Sequence, residues 1–196
     1  MHRAMVSGFL TGILLLMSGV ARAQSSTWDP LPFFVPVHSS CMAYDPIRQR
    51  GVMFGGYFVQ GGDGRSSATW EWDGTHWLAR RPLVSPPERS RAAMAFDPVR
   101  GRIVMFGGYW SSGTLWQVRL LRDMWEYDGQ TWQQIPLAGA WPSARFYHGM
   151  ASDPLRGKVV MFGGEAYIGA PVYLGDTWVP NRELLRVAQR FSSRLA

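Results

Sequence analysis

The sequence predicts an all-β chain built from repeated four-stranded antiparallel sheets, and three observations carry that prediction. The phrase Val-Met-Phe-Gly-Gly occurs at Val52–Gly56, Val104–Gly108 and Val160–Gly164. An Asp-Pro pair precedes each copy, at Asp45–Pro46, Asp97–Pro98 and Asp153–Pro154, recurring after 52 and then 56 residues. A period of this length marks an array of identical supersecondary units. Composition agrees: ten Trp, 22 Gly and 13 Pro suit short strands and tight turns better than helices.

The middle unit shows the elements in order. Arg89–Phe96 reads as a first strand, and Asp97-Pro98-Val99-Arg100-Gly101 as a tight turn, since Asp bonds the backbone ahead, Pro presets φ and Gly tolerates positive φ. Ile103–Phe106 is a continuous apolar run, the pattern of a strand covered on both faces, and Gly107-Gly108 ends it. Met124–Tyr127 forms a third strand, Asp128-Gly129 a hairpin turn, and Thr131–Ile135 the returning fourth strand. The first unit matches in register through Ser39–Tyr44, Val52–Gly56, Trp70-Glu71-Trp72-Asp73-Gly74 and Trp77. The third matches through Arg145–Ser152, Val159–Gly164 and Asp176-Thr177-Trp178. Four antiparallel strands per period make one propeller blade.

Gly-Gly after an apolar strand, an aromatic pair around an acid, and a Trp after the hairpin together resemble kelch repeats. The likeness runs over about residues 37–179. It implies a partial β-propeller related to the galactose-oxidase-like central domains. The expected organisation is a signal peptide at 1–23, an N-terminal segment with a ring-closing strand at 24–36, repeats at 37–88, 89–144 and 145–179, and a divergent basic tail at 180–196. Gly55, Gly56, Gly107, Gly108, Gly163 and Gly164, with Trp70, Trp77, Trp125, Trp132 and Trp178, hold fixed repeat positions and read as structural. Rings repeated at such positions fill the gaps between blades. Glu71 and Glu126, one per repeat, read as solvated or inter-blade residues.

The third unit breaks off after Trp178, where Val179-Pro180 replaces the expected acid and aromatic. Asn181–Ala196 then reads as a short C-terminal helix, with Leu184, Ala188, Phe191 and Leu195 on one face and an arginine every fourth residue on another. Thr27-Trp28 repeats Thr131-Trp132, so residues 27–31 are expected to supply an outer strand. Three units fall short of a closed ring. A second copy forming a six-bladed homodimer, or a longer propeller of which this chain is a truncated fragment without independent activity, would complete it.

Charge excludes one class of partner. The formal charge is +6, but residues 24–180 hold 14 basic and 13 acidic residues, a net of +1, so no nucleic-acid face is expected. Phe9–Val20 is apolar, and Ala21-Arg22-Ala23 is a small-x-small cleavage site. An exported protein cleaved near Ala23, periplasmic or extracellular, is expected, with no transmembrane span. The single cysteine, Cys41, forms no internal disulfide and reads as a small buried residue.

Function is expected on the connections after strands two and four, which are long and differ between units. They carry Tyr57, Phe58, Tyr109, Trp110, Trp116, Trp141, Tyr167 and Tyr173, with Arg65, Arg119 and Arg122 nearby. Aromatic faces suit sugar rings or a partner protein, and arginine offers bidentate contact to carboxylates. A binding or scaffold module for a protein or glycan is therefore expected. The alternative is a carbohydrate-active propeller enzyme, an oxidase or mutarotase. No catalytic constellation, metal spacing or phosphate loop is present, so no metal and no cofactor are expected. Cys41 and Tyr44, three apart on one strand, point to opposite faces and suit no copper-radical pair.

Overall fold

Short turns closed by aspartate set the strand spacing. Asp45 Oδ1 accepts from the Ile47 and Arg48 amides, both at 3.0 Å, and Asp97 Oδ1 from Val99 and Arg100 at 2.9 and 3.1 Å. Asp73 and Asp128 cap the second hairpin of their units in the same way. These are Asx turns, in which the side chain replaces a backbone acceptor.

The computed structural model describes residues 37–58, 64–111, 118–137, 139–167 and 169–180, all within one compact unit, Phe33–Ala196. The first repeat contributes β1 (Val37–His38), β2 (Cys41–Asp45), β3 (Arg50–Phe54), β4 (Tyr57–Phe58), β5 (Thr69–Trp72) and β6 (Trp77–Arg80). The second contributes β7 (Ala93–Asp97), β8 (Arg102–Phe106), β9 (Tyr109–Ser111), β10 (Val118–Leu120), β11 (Met124–Tyr127) and β12 (Trp132–Ile135). The third contributes β13 (Gly149–Asp153), β14 (Lys158–Phe162), β15 (Glu165–Tyr167), β16 (Pro171–Tyr173) and β17 (Thr177–Trp178). Two antiparallel four-stranded blades result, β2-β3-β5-β6 and β7-β8-β11-β12, followed by a three-stranded sheet, β13-β14-β17. The described residues are all-β, as expected. The ring-closing strand and the tail helix expected from the sequence lie outside them, as do residues 1–23.

Two details differ from the sequence reading. First strands begin later than Ser39, Arg89 and Arg145, because Ser39, Arg91 and Tyr147 adopt left-handed backbone (φ 57°, 58° and 58°), which interrupts the ladder. The connections after second strands also contain ribbons of their own: β9 pairs β10, β15 pairs β16, and β4 pairs back to β1.

Neighbouring blades meet through alternate residues. Each blade has a leading face toward the preceding unit and a trailing face toward the next. Cys41, Val52 and Phe54 on the first trailing face pack against Met94, Phe96, Met105 and Trp125 on the second leading face. Ala95, Val104 and Phe106 meet Val159 and Met161 in the same manner. Trp132 reaches across to the first blade: its indole donates to Thr69 Oγ1 at 2.9 Å and meets the Phe54 ring edge-on at 5.1 Å, while stacking on Tyr127 at 4.9 Å. Cys41 is buried beside Phe54 and Met105, and burial pushes its thiol up to about 12.

The Gly-Gly pairs form the latch between blades. The Gly56 amide donates to the Arg89 carbonyl and the Gly108 amide to the Arg145 carbonyl, both at 2.9 Å. The preceding glycine must be bare and left-handed: a Cβ at Gly107 (φ 65°) would lie 2.6 Å from the Arg145 carbonyl oxygen. Each arginine then turns its side chain into its own blade. Arg89 donates to the Gly107 carbonyl at 3.0 Å and, bidentate, to Asp123 at 2.7 and 2.8 Å. Arg145 repeats this on the Gly163 carbonyl at 2.9 Å and on Asp176 at 2.6 and 2.8 Å. Both aspartates also accept from an indole, Trp125 or Trp178. Burial alone would raise the Asp123 carboxyl, but the Arg89 hydrogen bonds and charge, with help from Trp125, hold it below the usual carboxylate range.

Glu71 and Glu126 correct the solvated reading. Both are buried and ion-paired, Glu71 to Arg48 and Arg80, and Glu126 to Arg100 and Arg102. A carboxylate drawn out of water needs such partners.

Two outcomes follow for stability. Gly107→Ala is expected to cost on the order of 2–4 kcal/mol in urea unfolding. Gly74→Ala, also left-handed but with open space around it, should cost only the backbone strain of about 1–2 kcal/mol. The second concerns His148, buried edge-on against Phe106. Burial first, and the Arg145 charge second, lower it from 6.5 to about 4. A group that is harder to protonate when folded favours the folded state at neutral pH. That contribution is lost as pH falls from about 6.5 toward 4, and it amounts to roughly 3 kcal/mol. His148→Phe should flatten the stability profile in that window, measured by urea midpoints at successive pH values.

Candidate functional site

The left-handed residues that delay the first strands also assemble a surface. The Arg91 amide donates to the Ser39 carbonyl at 2.8 Å, and the Tyr147 amide to the Arg91 carbonyl at 3.1 Å. One residue per blade is thereby tied to its counterpart in the next. Non-glycine residues are uncommon in this backbone region and persist only where surrounding bonds fix them.

Side chains converge on that arc. The Arg91 guanidinium lies over three rings: Tyr147 at 4.9 Å, Tyr109 at 5.0 Å and Phe146 at 5.8 Å. Its Nε is buried without a hydrogen-bond partner among the described residues, and no carboxylate among them pairs with it. A second stack adjoins. Arg65 lies over Tyr57 at 5.3 Å, donates to its phenol at 3.3 Å, and approaches the Trp110 ring at 6.0 Å. Tyr57 in turn stacks on His38 at 5.2 Å. Burial opposes ionisation of Tyr57, but the hydrogen bond from Arg65 and the charges of Arg65 and Arg91 leave its phenol below the ordinary tyrosine range.

Trp110 joins this stack to a groove of about 480 Å³ that Arg119, Arg122 and Asp123 also line. Its indole donates to Glu88 at 2.9 Å, which fixes the ring. Arg122 is held by the Pro142 carbonyl at 3.0 Å. The groove therefore has a rigid aromatic wall beside guanidinium groups, one of them (Arg119) exposed.

The sequence-derived candidates divide as follows. Tyr57, Tyr109 and Trp110 come together with Arg65, and Arg119 lines the adjoining groove. Phe58 is half-buried and pairs with Val37. Trp141 lies elsewhere, in an apolar cavity of about 270 Å³ between the second blade and the three-stranded sheet, with Phe106, Met124, Met161, Trp178 and Pro180. Tyr167 and Tyr173 are exposed on the third ribbon. Trp116 lies outside the described residues. Among the repeat positions, Trp125 and Trp132 are buried, while Trp70, Trp77 and Trp178 are half-buried. Arg91 and Tyr147 were missed as ligand candidates. Their position at one register step in consecutive repeats was the available clue.

Among the described residues, no group of three or more His, Cys, Asp or Glu is placed to hold a metal ion. No helix among them is long and apolar enough to cross a membrane. Neither a family model nor a curated protein matches the chain. Among solved structures, that of YjhT shares the fold with a TM-score of 0.57 at 15% sequence identity, over 74% of this chain and 46% of that one. The chain thus spans less than half the length of that protein.

Replacing Arg65 tests the electrostatics of the site. Arg65→Ala should move the Tyr57 phenol up toward its ordinary range. The shift is read as phenolate absorbance during a pH titration, with Tyr57→Phe as reference.

Proposed function

We propose that this chain is an exported kelch-type binding module whose ligand is a carbohydrate bearing a carboxylate. The observation that carries the reading is Arg91: a guanidinium fixed among three rings with no carboxylate of the described residues to neutralise it. A cation held in place by aromatic faces is preorganised for an anion, and arginine suits the planar carboxylate. Trp110 and Tyr109 offer flat apolar surface for a sugar ring. The expected localisation, periplasmic or extracellular, would bring such a module into contact with free or surface glycans. A second copy of this chain is the protein partner we favour.

Tyr57 favours a second reading, an enzyme of sugar chemistry. A phenol brought below its ordinary range by two guanidinium groups is a candidate proton acceptor, and perturbed groups gather at catalytic sites.

Calorimetric titration with uronic acids and with the matching neutral sugars tests the binding reading. The acids should bind at least about tenfold more tightly, a difference of about 1.4 kcal/mol, and Arg91→Gln should abolish the preference. Equal affinity for acid and neutral sugars, or a preference that survives in Arg91→Gln, contradicts it. Conversion of the sugar during incubation, lost in Tyr57→Phe, would support the enzyme reading.

A further inference from the structure

Among the described residues, two faces lack the cover that their counterparts receive. Phe54 and Phe106, on the trailing faces of the first two blades, are 1% and 3% exposed, whereas Phe162 at the same register is 58% exposed. At the opposite end, Met42 and Tyr44 are 62% and 58% exposed on the leading face of the first blade. Their counterparts Met94 and Phe96 are 4% and 7% exposed, because the first blade covers them. Cross-strand pairing fixes these equivalences: Met42 faces Met53, Met94 faces Met105, and Met150 faces Met161.

The backbone latch is likewise open at one end. Gly56 and Gly108 donate to the next blade, but the Gly164 amide has no acceptor among the described residues. The acceptor in each filled latch is a main-chain carbonyl, so any blade can supply it. Arg48 of the first blade lies over Tyr127 of the second at 5.3 Å. Arg156 holds the matching register position in the third unit, and Trp72 stands in the first blade where Tyr127 stands in the second.

We propose that the trailing face of the third unit docks on the leading face of the first blade of a second copy of this chain, head to tail. Phe162 and Val160 of one copy cover Met42 and Tyr44 of the other, and the Gly164 amide meets the Val37 carbonyl. The two faces belong to the same complementary classes that meet twice within the chain, which commits the occupant to a second copy. Such a contact is heterologous, and two copies satisfy both of their open faces when the rotation closes. This inference does not depend on the ligand.

Sedimentation of the full chain over a concentration series tests it. A species of twice the chain mass should form and dissociate on dilution. Met42→Asp and Phe162→Asp should each be monomeric, with far-ultraviolet spectra like the parent because both sites are exposed. Tyr44→Lys and Val160→Lys serve as a second pair. Mixing Met42→Asp with Phe162→Asp should restore a dimer, since each retains the face that the other has lost. A chain that stays monomeric throughout, whose faces are then bare or covered by its own ends, overturns the proposal. So does a mixture that fails to associate, or a variant that dimerises like the parent.

Discussion

The structure depends on a backbone hydrogen bond that only a pair of glycines permits. A blade can hide its aromatic residues only if the next sheet approaches closely, and the approaching strand brings a carbonyl that would collide with any Cβ at the first glycine. The second glycine supplies the amide that donates to that carbonyl. Side-chain packing then follows at the distances this contact sets. Phe54 and Trp132 come edge to face across the first junction, and Phe106 and Val159 join one apolar cluster across the second.

Charge is handled within blades and apolar surface between them. Arg89 and Arg145 each offer a carbonyl to the preceding blade while their guanidinium groups close on an aspartate of their own blade. One residue thereby couples the junction to the hairpin of third and fourth strands. The first blade lacks this pair, with Val37 and Ala68 at the corresponding positions. It still carries the buried Glu71 with two arginines. The third unit shows the converse, keeping the Arg145–Asp176 pair while Val179 replaces the buried glutamate. The two ionic devices are therefore separable, and neither is required in every unit.

Much of the fold could be read from the sequence because its signals are local and repeated. Asp-Pro turns, the Val-Met-Phe-Gly-Gly strand and the Asp-Gly hairpins place strands two to four of the full blades within a residue or two. Features that rest on tertiary contact were harder to see. Non-glycine left-handed backbone at Ser39, Arg91 and Tyr147 has no compositional mark, so the first strands look longer in the sequence than they are. The strands of the ribbons β9–β10 and β15–β16 are three residues each, too short for alternation to reveal a hairpin even with Gly113 and Gly169 in the connections. Glu71 looks like a surface acid until Arg48 and Arg80 are seen to close on it. The candidate site is legible in part: Tyr57, Tyr109 and Trp110 are visible as loop aromatics, but Arg91 falls within the Arg89–Phe96 stretch that reads as a first strand.

Amide hydrogen exchange, resolved to single residues, tests the central claim most directly. The account predicts that the Gly56 and Gly108 amides exchange only on global unfolding, as slowly as the central amides of β3 and β8. Fast exchange at either glycine, with those strands still protected, would contradict it, because the blades would then be held together without the latch.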